Sequence, residues 1–146
     1  MGVISTYLTA QRTALAAAPA SLNNVPASMD INGMAASNRH QAFTLKVAGV
    51  PTLLKMHGGG VVEYEQDLDL EIRWDPELDP EAIHNTVADD LENASHVMLK
   101  ASNRTGTEAD GVLLVLPSGG AVTNETDQIS AVLTYTVTYR VTQDMT

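Results

Sequence analysis

Alternating polar and apolar residues predict two long β-strands. Residues 61–74 read V-V-E-Y-E-Q-D-L-D-L-E-I-R-W, with an acidic residue at every second position from Glu63 to Glu71. Successive side chains of a strand point to opposite faces, so the acids share one face and the apolar residues from Tyr64 to Trp74 share the other. Residues 129–142 alternate in the same way, with Ile, Leu, Tyr and Val opposite Ser, Thr and Arg, and predict a long final strand.

Apolar residues at three- and four-residue spacing predict two helices. The first runs from Val3 to about Ala18 and ends before Pro19, which breaks the pattern. The second places apolar residues at helical spacing between positions 83 and 98, after the sequence D-P-E-L-D-P-E. Because a residue before proline avoids the α region, Asp79 is the predicted N-cap and Pro80 the first helical residue.

Shorter patterns complete the predicted fold. Residues 40–48 alternate as a strand, residues 112–116 form an apolar strand predicted to be buried on both faces, and residues 52–57 form a short additional strand. The polar segments 19–39 and 117–128 are interpreted as loops. The order helix, strand, strand, helix, strand, strand predicts the α+β class: an antiparallel or mixed β-sheet with two α-helices packed on one face. Residues 1–146 are expected to form a single domain.

Charge and composition exclude several classes of function. The chain has 146 residues and a formal net charge of −10, so nucleic acids and anionic lipid surfaces repel it at long range. It contains no cysteine, which excludes disulfides and cysteine-based zinc or redox sites. Its apolar stretches are too short to cross a bilayer as a helix, and its N-terminus lacks the early positive charge of a signal peptide. We therefore expect no membrane association.

Sequence motifs of catalysis are missing. The chain has no G-x-S-x-G, no H-E-x-x-H and no glycine-rich loop followed by Lys and Ser or Thr. The run Gly58–Gly60 is interpreted as a flexible hairpin tip, and the four histidines are interpreted as ordinary polar residues. We predict that the protein is not an enzyme and has no catalytic residues, no cofactor and no metal site.

The candidate functional residues are the five carboxylates of the acidic strand: Glu63, Glu65, Asp67, Asp69 and Glu71. Acids two positions apart on a strand are about 7 Å from each other, within a Debye length at physiological salt, so this row destabilises the fold by repulsion. One interpretation is a solvated outer face of an antiparallel strand. Another is a metal-dependent nuclease, because acids on adjacent sheet positions can hold Mg²⁺ against a phosphodiester. The segment L-D-L-E-I-R is similar to the restriction-type nuclease pattern, but Arg73 stands in place of its lysine and cannot release a proton.

A D-P-E helix follows a long strand that ends in Trp74, and the chain closes with V-L-T-Y-T-V-T-Y-R-V-T. Together with the order of elements, these features resemble the tail terminator (tail completion) proteins of long-tailed bacteriophages. This resemblance implies a structural virion protein: a homo-hexameric ring that caps the tail tube at the neck and joins it to the head connector. Related neck proteins on the head side, which complete the head, share these features and are the alternative.

The resemblance also implies partners and a place of action. The partners would be further copies of the chain, the tail tube protein and the head–tail connector or stopper protein, in a virion assembled in the bacterial cytoplasm. Double-stranded DNA would pass through the ring without sequence-specific binding. An acidic wall would then repel the phosphates, so we expect the acidic row to face the channel or a neighbouring subunit. We expect the segments 50–60 and 117–128 to make contacts within the ring or with the tube.

Overall fold

The computed structural model describes residues 2–25, 40–78, 80–106 and 110–143, which form two α-helices and six β-strands. The helices are α1 (Val3–Ala16) and α2 (Ile83–Leu99). The strands are β1 (Asn23–Asn24), β2 (Ala42–Val47), β3 (Thr52–Met56), β4 (Val61–Trp74), β5 (Gly111–Asn124) and β6 (Ile129–Thr142). Short 3₁₀ turns occupy Gly58–Gly60 and Ala101–Asn103.

All six strands belong to one mixed sheet with the order β1-β2-β4-β6-β5. The pair β1–β2 is parallel and the other pairs are antiparallel. Strands β2 and β3 share one side of β4, since β2 pairs with residues 68–73 and β3 with residues 62–65. The predicted α+β class, with an antiparallel or mixed sheet, is confirmed.

The apolar face of β4 forms the centre of the core. Leu68, Leu70 and Ile72 are fully buried, in one cluster with buried residues of both helices. Burying each such aliphatic side chain stabilises the fold by about 1.5–3 kcal/mol relative to leaving it in water. The acids alternate with these residues and therefore point away from the helices. The predicted register of the acidic strand is confirmed.

A buried carboxylate fixes the end of β4 against α2. The indole Nε1 of Trp74 donates to Asp90 Oδ2 at 2.8 Å, and Gln41 Nε2 donates to the same oxygen at 2.9 Å. Asp90 is 6% exposed. Because a buried charge is tolerated only when it is well hydrogen-bonded, these contacts define where the helix crosses the sheet.

Some predicted boundaries are wrong. Helix α1 ends at Ala16 because Ala17 is already extended, with φ −93° and ψ 162°. Helix α2 begins at Ile83, whereas Pro80 lies in the preceding turn and is exposed. Ile83 is buried, and burial of the apolar face, more than local preference, decides where such a helix is stable. The predicted N-cap Asp79 lies outside the described residues.

The segment 117–128 was predicted to be a loop, and this is wrong for most of its length. Strand β5 continues to Asn124, which pairs with Ile129, and the amide of Glu125 donates to the carbonyl of Gln128 to close the turn. Pro117 lies at a bulge in the ladder, where a residue without an N–H is accommodated. Residues 117–124 are exposed, so the hairpin extends beyond the cover of the helices. The pairing of β1 with β2, within the start of the segment 19–39, was also not predicted.

Candidate functional site

The five predicted acids form a single column on the sheet face opposite the helices, and we call it the acid column: Glu63, Glu65, Asp67, Asp69 and Glu71. On β6, threonines lie directly beside its three central members. The register pairs are Glu65 with Thr138, Asp67 with Thr136, and Asp69 with Thr134. On the other side, β2 and β3 place Lys46 beside Asp69 and Lys55 beside Glu63. The structure therefore brings together every residue of the predicted acidic row.

Threonine hydroxyls hold two of the central carboxylates. Thr136 Oγ1 donates to Asp67 Oδ1 at 2.7 Å, and Thr134 Oγ1 donates to Asp69 Oδ1 at 2.8 Å. A hydrogen bond to an ionised acceptor is about twice as strong as a neutral one. Because a hydroxyl carries no net charge, these contacts orient the carboxylates without neutralising them.

Cations contact the acid column at its two ends. Arg73 donates to Glu71 Oε1 from Nε at 2.9 Å and from Nη2 at 2.7 Å. At the other end, Glu63 Oε2 lies 3.2 Å from Arg140 Nε and 3.2 Å from His57 Nε2. Among the described residues, the ion pairs of the column are confined to these ends, so the negative charge of its centre is not offset by an ion pair there.

The electrostatics of Glu63 differ from those of the column's centre. The hydrogen bond with His57 lowers the pKa of the Glu63 carboxyl below its ordinary value, and Arg140 adds to this effect against the opposing influence of partial burial. Glu63 is therefore held in its charged form by its neighbours. At this end of the sheet, Glu63 links β4 to β6 through Arg140 and to His57, which follows β3.

The positions of Asp67, Asp69 and Arg73 can be compared with the metal site that the nuclease interpretation requires. Within the described residues, no three His, Asp or Glu side chains form a group that could hold a metal ion. Asp67 and Asp69 are two positions apart on one strand, about 7 Å along it, and each accepts a hydrogen bond from a threonine. Arg73, which stands in place of the nuclease lysine, is engaged with Glu71.

The glycine run and three of the histidines lie outside the acid column. Gly58–Gly60 forms the 3₁₀ turn that leads into β4, with Gly59 at φ 77° and Gly60 at φ 80°, a backbone region that favours glycine. His40 Nδ1 accepts a hydrogen bond from the amide of Asp75 at 3.1 Å, and His84 and His96 are exposed on α2. The described part of the chain has no helix that is both long enough and apolar enough to span a membrane.

Sequence reasoning missed the exposed aliphatic residues at the two margins of the sheet. The run 112–116 was predicted to be buried on both faces, but Leu114 is 40% exposed and Leu116 is 52% exposed. Both lie on the face of the acid column, next to the threonines of β6. On β3, at the opposite margin, all five side chains are exposed. The signal available in the sequence was the glycine- and proline-rich flank of each segment, which is typical of a sheet margin.

No protein-family model matches the chain, and no curated protein matches it either.

Proposed function

We propose that this protein is a tail terminator of a long-tailed bacteriophage, a structural virion protein that forms a hexameric ring on the end of the tail tube. The observation that supports the proposal most directly is the acid column. Two of its three central carboxylates, Asp67 and Asp69, are oriented by threonines, its ion pairs among the described residues are confined to its ends, and it lies on the sheet face opposite the two described helices. A ring that encloses DNA needs a wall of this kind.

The dimensions of the acid column suit a channel wall. From Glu63 to Glu71 it extends over about 27 Å of strand, at about 3.3 Å per residue. Double-stranded DNA carries one negative charge per about 1.7 Å of its axis, so a column of this length faces roughly sixteen phosphate charges. Repulsion at every level along the column prevents the DNA from adhering to the wall as it passes.

In the head-side alternative, the acid column would also line a DNA channel, but the ring would lie on the head side of the neck. A neck or head-completion ring also encloses DNA, so the acid column supports both assignments equally. The resemblance in the closing strand, β6, favours the tail side, where the ring meets the tube protein below and the connector or stopper protein above. The binding partner, tail tube or head, distinguishes these two locations in the virion.

Electron microscopy of the purified protein with its possible partners tests the proposal. Mixed with uncapped tail tubes, the protein should appear as a six-fold ring at one end of each tube and should stop further tube growth. Mixed with DNA-filled heads that lack tails, it should not bind by itself. Binding to heads but not to tubes would move the protein to the head side. Cleavage of plasmid DNA with Mg²⁺ or Mn²⁺, lost in an Asp67→Asn/Asp69→Asn variant, would establish the nuclease interpretation.

A further inference from the structure

The segment that joins β2 to β4 lies along the outside of the sheet, and we call its residues 49–60 the β3 strap. None of these residues is buried, and all five side chains of β3 are exposed. Within the described residues, β3 pairs with β4 alone. Local opening requires little free energy where few apolar side chains are buried. The β3 strap can therefore separate from β4 at a much smaller cost than global unfolding.

Main-chain hydrogen bonds mark the two ends of the β3 strap. Just before it, the amide of Ala48 donates to the carbonyl of Asp67 at 2.8 Å, and at its end the carbonyl of Gly60 accepts from the amide of Gln143 at 2.8 Å. The φ angles of Gly49 and Gly60 are 94° and 80°. Glycine takes this backbone region without strain and gives the chain conformational freedom there. A glycine hinge therefore lies at each end of the strap.

Side chains hold the two ends of the β3 strap with unequal strength. Gln66 Nε2 donates to the carbonyl of Gly49 at 2.9 Å, and Gln66 is only 4% exposed. At the other end, His57 Nε2 lies 3.2 Å from Glu63 Oε2, and the His57 side chain is 26% exposed. Water weakens a partly exposed polar contact more than a buried one. We therefore expect separation to begin at His57, whose amide also donates to the carbonyl of Val61 at 2.8 Å.

The β3 strap covers one side of a buried residue of β4. Val62 is 3% exposed, and its register partners are Met56 on β3 and Val141 on β6. Side chains of directly opposite residues on neighbouring strands lie about 5 Å apart on the same face. Separation of the strap takes Met56 away from Val62, so the accessibility of position 62 reports on the position of the strap.

We propose that the β3 strap detaches from β4 as a unit while the helices and the rest of the sheet stay folded, with the contact between His57 and Glu63 as its latch. Detachment takes Lys55 and His57 away from Glu63, which makes this end of the acid column more negative. It also frees the edge of β4 at residues 62–65 for pairing with another strand. The inference goes beyond the proposed function and does not depend on it, since it concerns the isolated chain.

Thiol labelling tests the proposal, because the chain contains no cysteine. The probe is Val62→Cys, and the matched control is Val137→Cys at a fully buried position of β6. In native buffer, Val62→Cys should react with a thiol reagent at least about 100-fold faster than Val137→Cys, because local opening is more frequent than global unfolding. Low concentrations of urea should accelerate labelling of Val137→Cys and leave that of Val62→Cys nearly unchanged, since opening of the strap exposes little surface.

Substitutions in the two backgrounds separate the latch from the core. His57→Ala should raise the labelling rate of Val62→Cys by about 2- to 10-fold, the effect of one hydrogen bond or partly exposed ion pair. His84→Ala, at an exposed position of α2, is the matched control and should leave that rate unchanged. Leu70→Ala should accelerate labelling of Val137→Cys but not of Val62→Cys, because the contacts of Leu70 persist when the strap opens.

Circular dichroism verifies that each variant is folded, and amide hydrogen exchange of the parent gives a readout without any substitution. The amide of His57 should exchange at least about 100-fold faster than the amides of β6, which is paired on both sides. Equal labelling rates of Val62→Cys and Val137→Cys, or an equal response of both to Leu70→Ala, would show that the strap opens only when the whole chain unfolds and would overturn the proposal. An unchanged rate of Val62→Cys after His57→Ala would overturn the assignment of the latch.

Discussion

Reversing the charge of the centre of the acid column is the most direct test of its role. The variant is Glu65→Lys/Asp67→Lys/Asp69→Lys, which leaves the ion-paired ends, Glu63 and Glu71, unchanged. These three positions extend over about 13 Å of strand, and DNA carries roughly eight charges over that length. A ring of six copies would present about 18 lysines there, enough to contact all of those phosphates.

The expected result is a ring that assembles but retains DNA. If each of about eight phosphates is contacted, the logarithm of the DNA affinity should fall with the logarithm of salt concentration with a slope of up to about −7. The parent ring should show no comparable binding. The assays are fluorescence anisotropy of short duplexes with purified rings, and ejection kinetics of particles that carry the variant, each measured over a series of salt concentrations.

Two controls isolate the position of the charge. Glu81→Lys/Asp89→Lys/Glu92→Lys makes the same change in net charge at exposed sites in and next to α2 and should leave ejection unchanged. Glu65→Gln/Asp67→Asn/Asp69→Asn removes the charge and keeps hydrogen-bond acceptors for the threonines, and should give little DNA retention. Failure of the lysine variant to assemble would instead indicate that the acids meet basic side chains of a neighbour. Normal assembly with unchanged ejection and no DNA binding would refute the channel assignment and leave the acid column as a solvated outer face.

Three further predictions concern the fold that carries the acid column. Leu70→Ala should lower the free energy of unfolding by about 2–5 kcal/mol, because a fully buried side chain is removed from the core, and urea titration measures this. Asp90→Ala should lower it by about 3 kcal/mol, since the buried indole N–H of Trp74 loses its acceptor, whereas an equal loss in Asp89→Ala, on the exposed side of α2, would contradict this reasoning. The lowered pKa of Glu63 means that its stabilising effect is complete above the ordinary pKa of a glutamate and is lost as the pH falls through the lowered value. Unfolding titrations across the acidic range should therefore show a steeper loss of stability for the parent than for Glu63→Gln, and parallel curves would count against the link with His57.

The sequence predicted those elements whose pattern and burial agree. Strand β4 was predicted with the boundaries that the structure has, because its period of two separates a carboxylate face from a core face along its whole length. The alternation within residues 40–48 likewise places Phe43, Leu45 and Val47 on one face of β2, and Phe43 and Leu45 are buried. Val47 is an exception, at 49% exposed, because it lies near the end of β2 where the core cluster does not extend.

The prediction failed where a strand is stabilised by its partner more than by its own pattern. The P-S-G-G segment of β5 has no alternation and reads as a loop, yet β6 supplies a ladder of backbone hydrogen bonds along it. Local sequence does not reveal such pairing, because the partner is set by the hairpin turn at residues 125–128. The exposed margins were missed for a related reason: an apolar run indicates burial, but which residues of a marginal strand the helices cover depends on the whole sheet.

The electrostatic repulsion within the acid column destabilises the single chain, and this suggests that the column acts in an assembly. In an isolated domain, alternating lysine with acid on the outer face would give equal solubility and mutual attraction, whereas this column places like charges about 7 Å apart. The structure limits the resulting repulsion at the ends with ion pairs to Arg73 and Arg140, whereas at the centre two carboxylates accept hydrogen bonds from threonines and Lys46 lies beside Asp69 without an ion pair. Replacing those acids with amides should therefore raise the stability of the monomer, while the negative potential at the centre of the face is lost. A gain in stability that accompanies a loss of free DNA passage would identify the central charges as a feature of the assembled ring. A gain in stability without any change in DNA passage would instead remove the reason for placing DNA beside this face.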